Sequence, residues 1–301
     1  MTVFSTSKMH PDELEIDVDL ARRLLKAQAP QWAELPIEPV PSAGTDNMLY
    51  RLGNDKVIRL PRVAWAAGLV EKEQTWLPWL APHLPLAIPR PLAVGQPGEA
   101  YPWQWSVYGW LEGDEASLDN LASVEQAAVA LAQFIHSLEN LDASGGPRAG
   151  SGNFYRGVPL KERDAPTRAA IASLKDLLDT AALVAAWEKA LAVPAYTGLA
   201  KWVHGDLRPG NLLASRGRLS AVIDFGCLGV GDPACDLQVA WSFLPPGVRT
   251  AFRQSLGTDD ASWERGKGWA LSVSIVALPY YWSTNRILAD IARHTIREVL
   301  F

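Results

Sequence analysis

The segment from residue 202 to residue 236 constrains the fold most, and it reads WVHGDLRPGNLLASRGRLSAVIDFGCLGVGDPACD. Apolar runs alternate here with Gly, Pro, Asp and Asn, a pattern that predicts short strands joined by loops. Asp206, Asn211 and Asp224 fall in the loops beside those strands. Because loops on a rigid scaffold commonly carry binding and catalytic groups, the segment predicts a polar functional site.

The sequence patterns before and after residue 109 predict two parts with different structure. Before it, NMLYRLGNDKVIRL contains two strand-like runs joined by Gly-Asn-Asp, which predicts a β-hairpin. After it, apolar residues recur at helical spacing, as in VEQAAVALAQFIHSL. We therefore predict an α+β fold with a small N-terminal lobe over residues 1–109, built on an antiparallel sheet, and a larger, mainly helical C-terminal lobe over residues 110–301.

Composition argues against several classes of protein. The chain has 301 residues, 48% of them apolar, and a net charge of −5, which does not favour a nucleic-acid partner. Two cysteines, Cys227 and Cys235, are too few for a disulfide framework. The N-terminus lacks a signal-peptide pattern. The longest apolar run is too short to span a bilayer and contains Pro279. We predict a cytoplasmic protein, monomeric or homodimeric, that binds neither nucleic acid nor membrane.

Two motifs in this segment point to phosphoryl transfer. HGDLRPGN matches the kinase catalytic-loop pattern H-x-D-L-x-x-x-N, with Gly205 where protein kinases carry Arg, and VIDFG matches the D-F-G element. Phosphoryl transfer needs a carboxylate beside the attacking hydroxyl and oxygen ligands that hold Mg²⁺ against the phosphates. Asp206 is the candidate for the first role. Asn211 and Asp224 are the candidate metal ligands.

The whole segment resembles the signature of the aminoglycoside phosphotransferase family, small-molecule kinases with a protein-kinase-like fold. That family's pattern is H-G-D-x-x-x-x-N, then I-D-[FLW]-G, then D-P-x-x-D. The resemblance implies a bilobal fold, ATP or GTP as phosphoryl donor, Mg²⁺, and a small hydroxylated acceptor. It also implies that Asp236 supports the catalytic loop from below and that His204 holds this loop near Asp224.

In the N-terminal half, the family carries a strand Lys that contacts the α- and β-phosphates and pairs with a helix Glu. The resemblance places Arg59 of KVIRLPR at the Lys position and Glu73 of VEKE at the Glu position. A guanidinium stays charged and can bind phosphate oxygens through two parallel hydrogen bonds, so the replacement is physically workable. Lys56 is the rival ligand, although strand alternation directs its side chain to the opposite face.

The resemblance also implies where the rest of the nucleotide binds. The phosphate-covering turn would be SAGTDN, residues 42–47, with the hydroxyls of Ser42 and Thr45 able to contact phosphate oxygens. The base would bind main-chain groups in SVYGW, around Tyr108.

The identity of the acceptor is left open. An aminoglycoside is the family default, but a macrolide, amino alcohol, sugar or metabolite would also fit the reaction. A cationic sugar needs an acidic pocket, and the candidate carboxylates are Asp232, Asp259, Asp260 and Glu264. A nucleotide-binding regulator without turnover is the alternative from a different class.

Tryptophan is abundant, and its two clusters are candidate binding surfaces as well as candidate core residues. The cluster near the predicted boundary between the lobes comprises Trp103, Trp105 and Trp110, and the cluster near the C-terminus comprises Trp263, Trp269 and Trp282.

Overall fold

The structure is a computed structural model that describes residues 12–41, 44 and 46–301. The chain divides into two compact units. The N-terminal unit comprises the described residues up to Pro82 together with Ile88–Glu112, and the C-terminal unit comprises His83–Ala87 and Gly113–Phe301. The functions predicted for residues 1–109 and 110–301 stay predictions.

The N-terminal unit is built on a five-stranded antiparallel sheet with strand order β1-β2-β3-β5-β4. Its strands are β1 (Ile37–Pro39), β2 (Asn47–Leu52), β3 (Lys56–Pro61), β4 (Pro91–Gly95) and β5 (Trp105–Gly109). Its helices are α1 (Val18–Gln28), α2 (Ala64–Ala67) and α3 (Leu69–Leu80).

The hairpin predicted from NMLYRLGNDKVIRL is present as β2 and β3. Their register pairs Leu49 with Arg59 and Asn47 with Pro61. Two helices, α2 and α3, follow the hairpin and are divided at Gly68. At the edge of the sheet, a Cβ on Gly95 would lie 1.9 Å from the Trp105 indole, so this buried ring requires glycine there. The indole and the leucines of α1 belong to one apolar core.

The C-terminal unit is mainly helical. Its helices are α4 (Val124–Glu139), α5 (Asp164–Ser173), α6 (Thr180–Leu191), α7 (Val239–Ser242), α8 (Pro246–Leu256), α9 (Asp260–Tyr281) and α10 (Arg286–Leu300). Its short strands are β6 (Asp114–Glu115), β7 (Lys201–Val203), β8 (Leu212–Ser215), β9 (Arg218–Val222) and β10 (Gly229–Gly231).

The short strands of this unit form two small antiparallel sheets that carry the loops of interest. One has the order β6-β8-β9, and the other pairs β7 with β10. The catalytic-loop motif therefore leaves the end of β7, and the D-F-G element follows the end of β9. Together with the five-stranded sheet, this architecture confirms the predicted α+β class. No described helix is long and apolar enough to cross a membrane.

Candidate active site

A buried carboxylate holds the loop that follows β7. Asp236 Oδ2 accepts a hydrogen bond from His204 N and Oδ1 accepts one from Gly205 N, both at 2.7 Å. Gln238 Nε2 donates to the carbonyl of Gly205 at 3.1 Å. Burial raises the pKa of Asp236 to about 7, against the lowering effect of the two N–H donors. The arrangement agrees with the supporting role that the family resemblance implies for Asp236.

Gly205 occupies a position that a side chain would not fit. Its φ is +83°, and a Cβ there would lie 2.6 Å from the carbonyl oxygen of Cys227. An L-residue is strained at such a φ, and the backbone oxygen leaves no room for it. Glycine at this position is therefore a requirement of this loop, although protein kinases carry Arg there.

His204 connects the loop to the strand that precedes the D-F-G element. Its Nδ1 accepts from the backbone N–H of Asp206 at 3.2 Å, so its Nε2 carries the hydrogen and donates to the carbonyl of Ile223 at 3.1 Å. The ring also packs edge-on against Phe225, with 4.6 Å between centroids. Burial lowers the pKa of His204, which favours the neutral ring that these bonds require.

Asp206 is held by the side chains around it. Asn211 Nδ2 donates to its Oδ2 at 2.9 Å and to its backbone carbonyl at 2.8 Å. Arg208 Nε donates to the same Oδ2 at 3.0 Å, and Arg156 Nη2 lies 3.7 Å from Oδ1. Burial acts to raise the pKa of Asp206, but the charges of Arg208 and Arg156 outweigh it and the pKa lies below its usual value. The carboxylate is therefore ionised at neutral pH.

The two arginines were not among the residues singled out from the sequence. Arg208 lies inside the catalytic-loop motif, two residues after Asp206. Arg156 lies in the long connection between α4 and α5, in the left-handed turn region that includes Phe154 and Tyr155. The length of this connection was the only sequence signal for Arg156, because long loops are often functional.

The two candidate metal ligands lie next to each other. The backbone N–H of Ile223 donates to the carbonyl of Asn211 at 2.9 Å, which brings Asp224 beside Asn211. Asp224 itself has the left-handed conformation, with φ 64° and ψ 74°. The structure thus brings Asp206, Asn211 and Asp224 together within the C-terminal unit.

In the N-terminal unit, Arg59 and Glu73 form an ion pair. Arg59 Nη1 donates to both carboxylate oxygens of Glu73 at 2.7 Å. On the other side of this carboxylate, the Tyr108 hydroxyl donates to Glu73 Oε2 at 2.5 Å. Burial and the charge of Glu73 raise the pKa of Tyr108 far above its ordinary value, so the phenol remains a donor. The Tyr108 side chain is thus buried against the ion pair.

Lys56, the rival to Arg59, has other partners. Its Nζ donates to Asp55 at 2.6 Å and lies 5.7 Å from the centre of the Trp32 ring. Two backbone donors near the predicted base site are also engaged, because Gly109 N donates to Arg90 O and Trp110 N to Asp55 O. Ser42 and Thr45, predicted to contact phosphate, lie outside the described residues.

Comparison with known proteins shows the family. The model of the phosphotransferase enzyme family matches residues 37–269, well over half of the chain. The chain belongs to the phosphotransferase enzyme family. No curated protein matches the sequence significantly.

Solved structures share the fold of this phosphotransferase at low sequence identity. A complex of APH(2″)-IIIa with GDP and kanamycin superposes with a TM-score of 0.74 at 20% identity, covering 93% of this chain and 97% of that one. The macrolide 2′-phosphotransferase MphH from Brachybacterium faecium gives a TM-score of 0.63 at 22% identity, covering 93% and 98%. A streptomycin–ATP complex of APH(2″)-IIa gives 0.59 at 16%, covering 87% and 91%. These likenesses confirm the kinase-like fold.

The donor set of the phosphotransferase fits Mg²⁺ bound together with a nucleotide. The described residues contain no cluster of three or more His, Cys, Asp or Glu side chains that could hold a metal alone. Mg²⁺ commonly binds through one or two protein groups and substrate phosphates, so such a cluster is not needed. Asn211 directs its NH₂ group to Asp206, which leaves the amide oxygen on the opposite side for a cation.

The candidate acidic residues of an acceptor pocket are engaged within the fold. Asp232 accepts from Arg265 at 2.8 Å in a fully buried pair, and Glu264 lies 3.4 Å from Lys189. Asp260 pairs with Arg253, and Asp259 caps α9 by accepting from Ser262 N. Only the buried Asp232–Arg265 pair is shielded from solvent, and it joins the loop before α7 to α9.

The tryptophans have mixed surroundings. Trp105 and Trp269 are fully buried core residues. Trp110 lies under the Arg51 guanidinium at 4.1 Å, whereas Trp103 packs edge-on against Tyr101. Trp263 packs against Trp241, with 4.7 Å between centroids. Trp282 is exposed, with Arg293 over its ring. Of the C-terminal cluster, Trp282 is therefore the member best exposed to meet a ligand.

Proposed function

We propose that this protein transfers the γ-phosphoryl group of ATP or GTP to a hydroxyl of a small molecule, with an aminoglycoside as the default acceptor. The observation that carries the proposal is the assembly of Asp206, Asn211 and Asp224 on one loop system fixed by a buried carboxylate. A protein that only binds nucleotide does not need a carboxylate placed to face a hydroxyl. That makes a regulator without turnover the weaker alternative.

Asp206 would orient the acceptor hydroxyl and accept its proton as the oxygen attacks the γ-phosphorus. Its hydrogen bonds from Asn211 and Arg208 leave the carboxylate fixed in direction. Positioning of this kind supplies much of the catalysis in phosphoryl transfer, because the protein does little covalent chemistry. The low pKa of Asp206 favours its orienting role over strong basicity.

Asn211 and Asp224 would hold Mg²⁺, which neutralises phosphate charge when bound. In the N-terminal unit, Arg59 would contact the phosphates while Glu73 fixes its direction. Ser42 and Thr45 would add hydroxyl contacts to the phosphates. Tyr108 would act through Glu73, since its side chain is buried against that carboxylate, while nearby main-chain groups bind the base.

The acceptor remains to be identified by experiment. Related structures contain kanamycin or streptomycin, or belong to a macrolide phosphotransferase, so both antibiotic classes belong in the first screen. Amino alcohols, sugars and other hydroxylated metabolites complete it. A role in antibiotic resistance depends on this outcome. We further propose a cytoplasmic monomer or homodimer that uses no nucleic acid.

The test is a screen for acceptor-dependent nucleotide consumption with ATP and GTP in separate reactions. The wild type should consume nucleotide faster with at least one acceptor, and Asp206→Asn, which keeps the shape of the side chain, should not. Nucleotide binding without acceptor-dependent turnover across the whole screen would favour the regulator.

A further inference from the structure

The Arg59 guanidinium is held from two sides. Arginine has five N–H donors, and Arg59 Nη1 donates to both carboxylate oxygens of Glu73. In the amide orientation that satisfies both side chains, Asn47 Oδ1 accepts from Arg59 Nε at 3.1 Å and from Nη2 at 3.0 Å. All three nitrogens of the planar group are therefore directed at Asn47 or Glu73. Contacts on both sides fix the plane of the guanidinium.

The place of Asn47 in the chain is specific. It is the first residue of β2, at the end of the 42–47 segment predicted to cover the phosphates. Asn47 pairs with Pro61 in the ladder, so it is the diagonal neighbour of Arg59 on the same face of the hairpin. Its side chain thus ties the start of β2 to the group predicted to bind phosphate.

The charge of this cluster explains why an amide suits the position. Arg59 and Glu73 together carry no net charge, and Tyr108 adds a hydrogen bond to Glu73 without adding charge. An amide oxygen at residue 47 can also accept two hydrogen bonds without adding charge. A carboxylate there would bind the guanidinium as well, but would make the cluster negative where phosphates are to bind.

We propose that Asn47 is a positioning residue for the nucleotide: it fixes the plane in which Arg59 meets the phosphates and keeps the cluster neutral. This inference rests on the proposed function, in which Arg59 binds the phosphates. A purely structural Asn47 would instead need only to accept the two hydrogen bonds. Aspartate would serve that role as well as asparagine.

The test is calorimetric titration. MgATP and MgGTP are each titrated into the wild type, Asn47→Ala and Asn47→Asp, and the variants are compared by their affinity for the nucleotide that the wild type binds more tightly. Hydrogen bonds to a charged group contribute more free energy than neutral ones, and Asn47→Ala removes two of them from Arg59. Asn47→Ala should therefore weaken nucleotide binding about tenfold. Asn47→Asp should weaken it at least as much although both acceptor positions remain. Asn54→Ala, which removes an exposed amide from the turn of the same hairpin, should bind as the wild type does. Urea unfolding identifies the variants that fold.

Two results would overturn the inference while leaving the proposed function intact. One is Asn47→Asp binding nucleotide as tightly as the wild type. The other is an equal loss from Asn47→Ala in the wild type and in an Arg59→Ala background, where we expect no further loss. Failure of the wild type to bind either nucleotide would overturn the proposed function, and the inference with it.

Discussion

The loop around Asp206 and the cluster around Arg59 are both polar sites beside strands, but the chain holds them by different means. Backbone N–H groups of His204 and Gly205 fix the first through the buried Asp236. Contacts between side chains, those of Arg59 with Glu73 and Asn47, hold the second. Changing one of the few buried groups that hold the loop should therefore abolish most of its function. Changing a side chain of the Arg59 cluster should lower nucleotide binding by an amount that depends on how well the new side chain fits.

The largest effect is expected at Asp206, on turnover alone. Asp206→Ala should lower kcat by about 10²–10⁴-fold, the usual contribution of proton transfer by a positioned group, because alanine can neither orient the hydroxyl nor accept its proton. Nucleotide affinity should stay nearly unchanged. Steady-state kinetics and calorimetry on the same preparation give both values.

Asp224→Ala is the matched contrast from the same loop system, and it should weaken Mg²⁺–nucleotide binding together with turnover. Activity of Asp206→Ala within a few-fold of the wild type would remove Asp206 from the mechanism. Equal Mg²⁺–nucleotide affinity in Asp224→Ala and the wild type would make the metal assignment wrong.

The next prediction concerns Asp236, the carboxylate that supports the catalytic loop. Asp236→Asn keeps one acceptor oxygen but turns an NH₂ group toward a backbone N–H, which leaves a buried donor without a partner. The free energy of unfolding, measured in urea, should fall by about 1–3 kcal/mol, and turnover should fall with it.

Asp259→Asn is the control for that experiment, because Asp259 caps an exposed helix end and asparagine also serves as a cap. Its stability should change little. A stable and fully active Asp236→Asn variant would show that the loop does not depend on this carboxylate.

The smallest effects are expected in the Arg59 cluster. Arg59→Lys should raise the nucleotide KM or lower kcat several-fold, because an ammonium cannot reproduce the two-sided grip of the guanidinium fork. Arg59→Ala should be worse, since it leaves Glu73 as an uncompensated charge, and Glu73→Gln in that background should recover part of the loss. Lys56→Ala should be nearly silent. If Arg59→Ala left the nucleotide KM and kcat unchanged while Lys56→Ala strongly impaired them, the phosphate contact would be assigned to Lys56.

The sequence predicts those parts of the structure that depend on neighbouring residues, and it does not predict contacts between distant segments. The hairpin, the α+β class and the family follow from local signals, since Gly-Asn-Asp, strand alternation and ordered motifs are all written in adjacent residues. The contact of Arg156 with Asp206 depends on how distant segments pack, and spacing along the chain carries little of that information. The buried hydroxyl bond of Tyr108 was missed for the same reason. The prediction for this segment concerns main-chain contacts to the base and stays a prediction, while strand pairing buries the Tyr108 side chain beside Glu73.

The most direct test of the account follows the phosphoryl group itself. ATP or GTP carrying a radiolabel in the γ-phosphate is incubated with Mg²⁺, the best acceptor of the screen and either the wild type or Asp206→Asn. We expect a labelled phosphate ester of the acceptor with the wild type and almost none with the variant. Label recovered only as inorganic phosphate, or equal ester formation by both proteins, would contradict it.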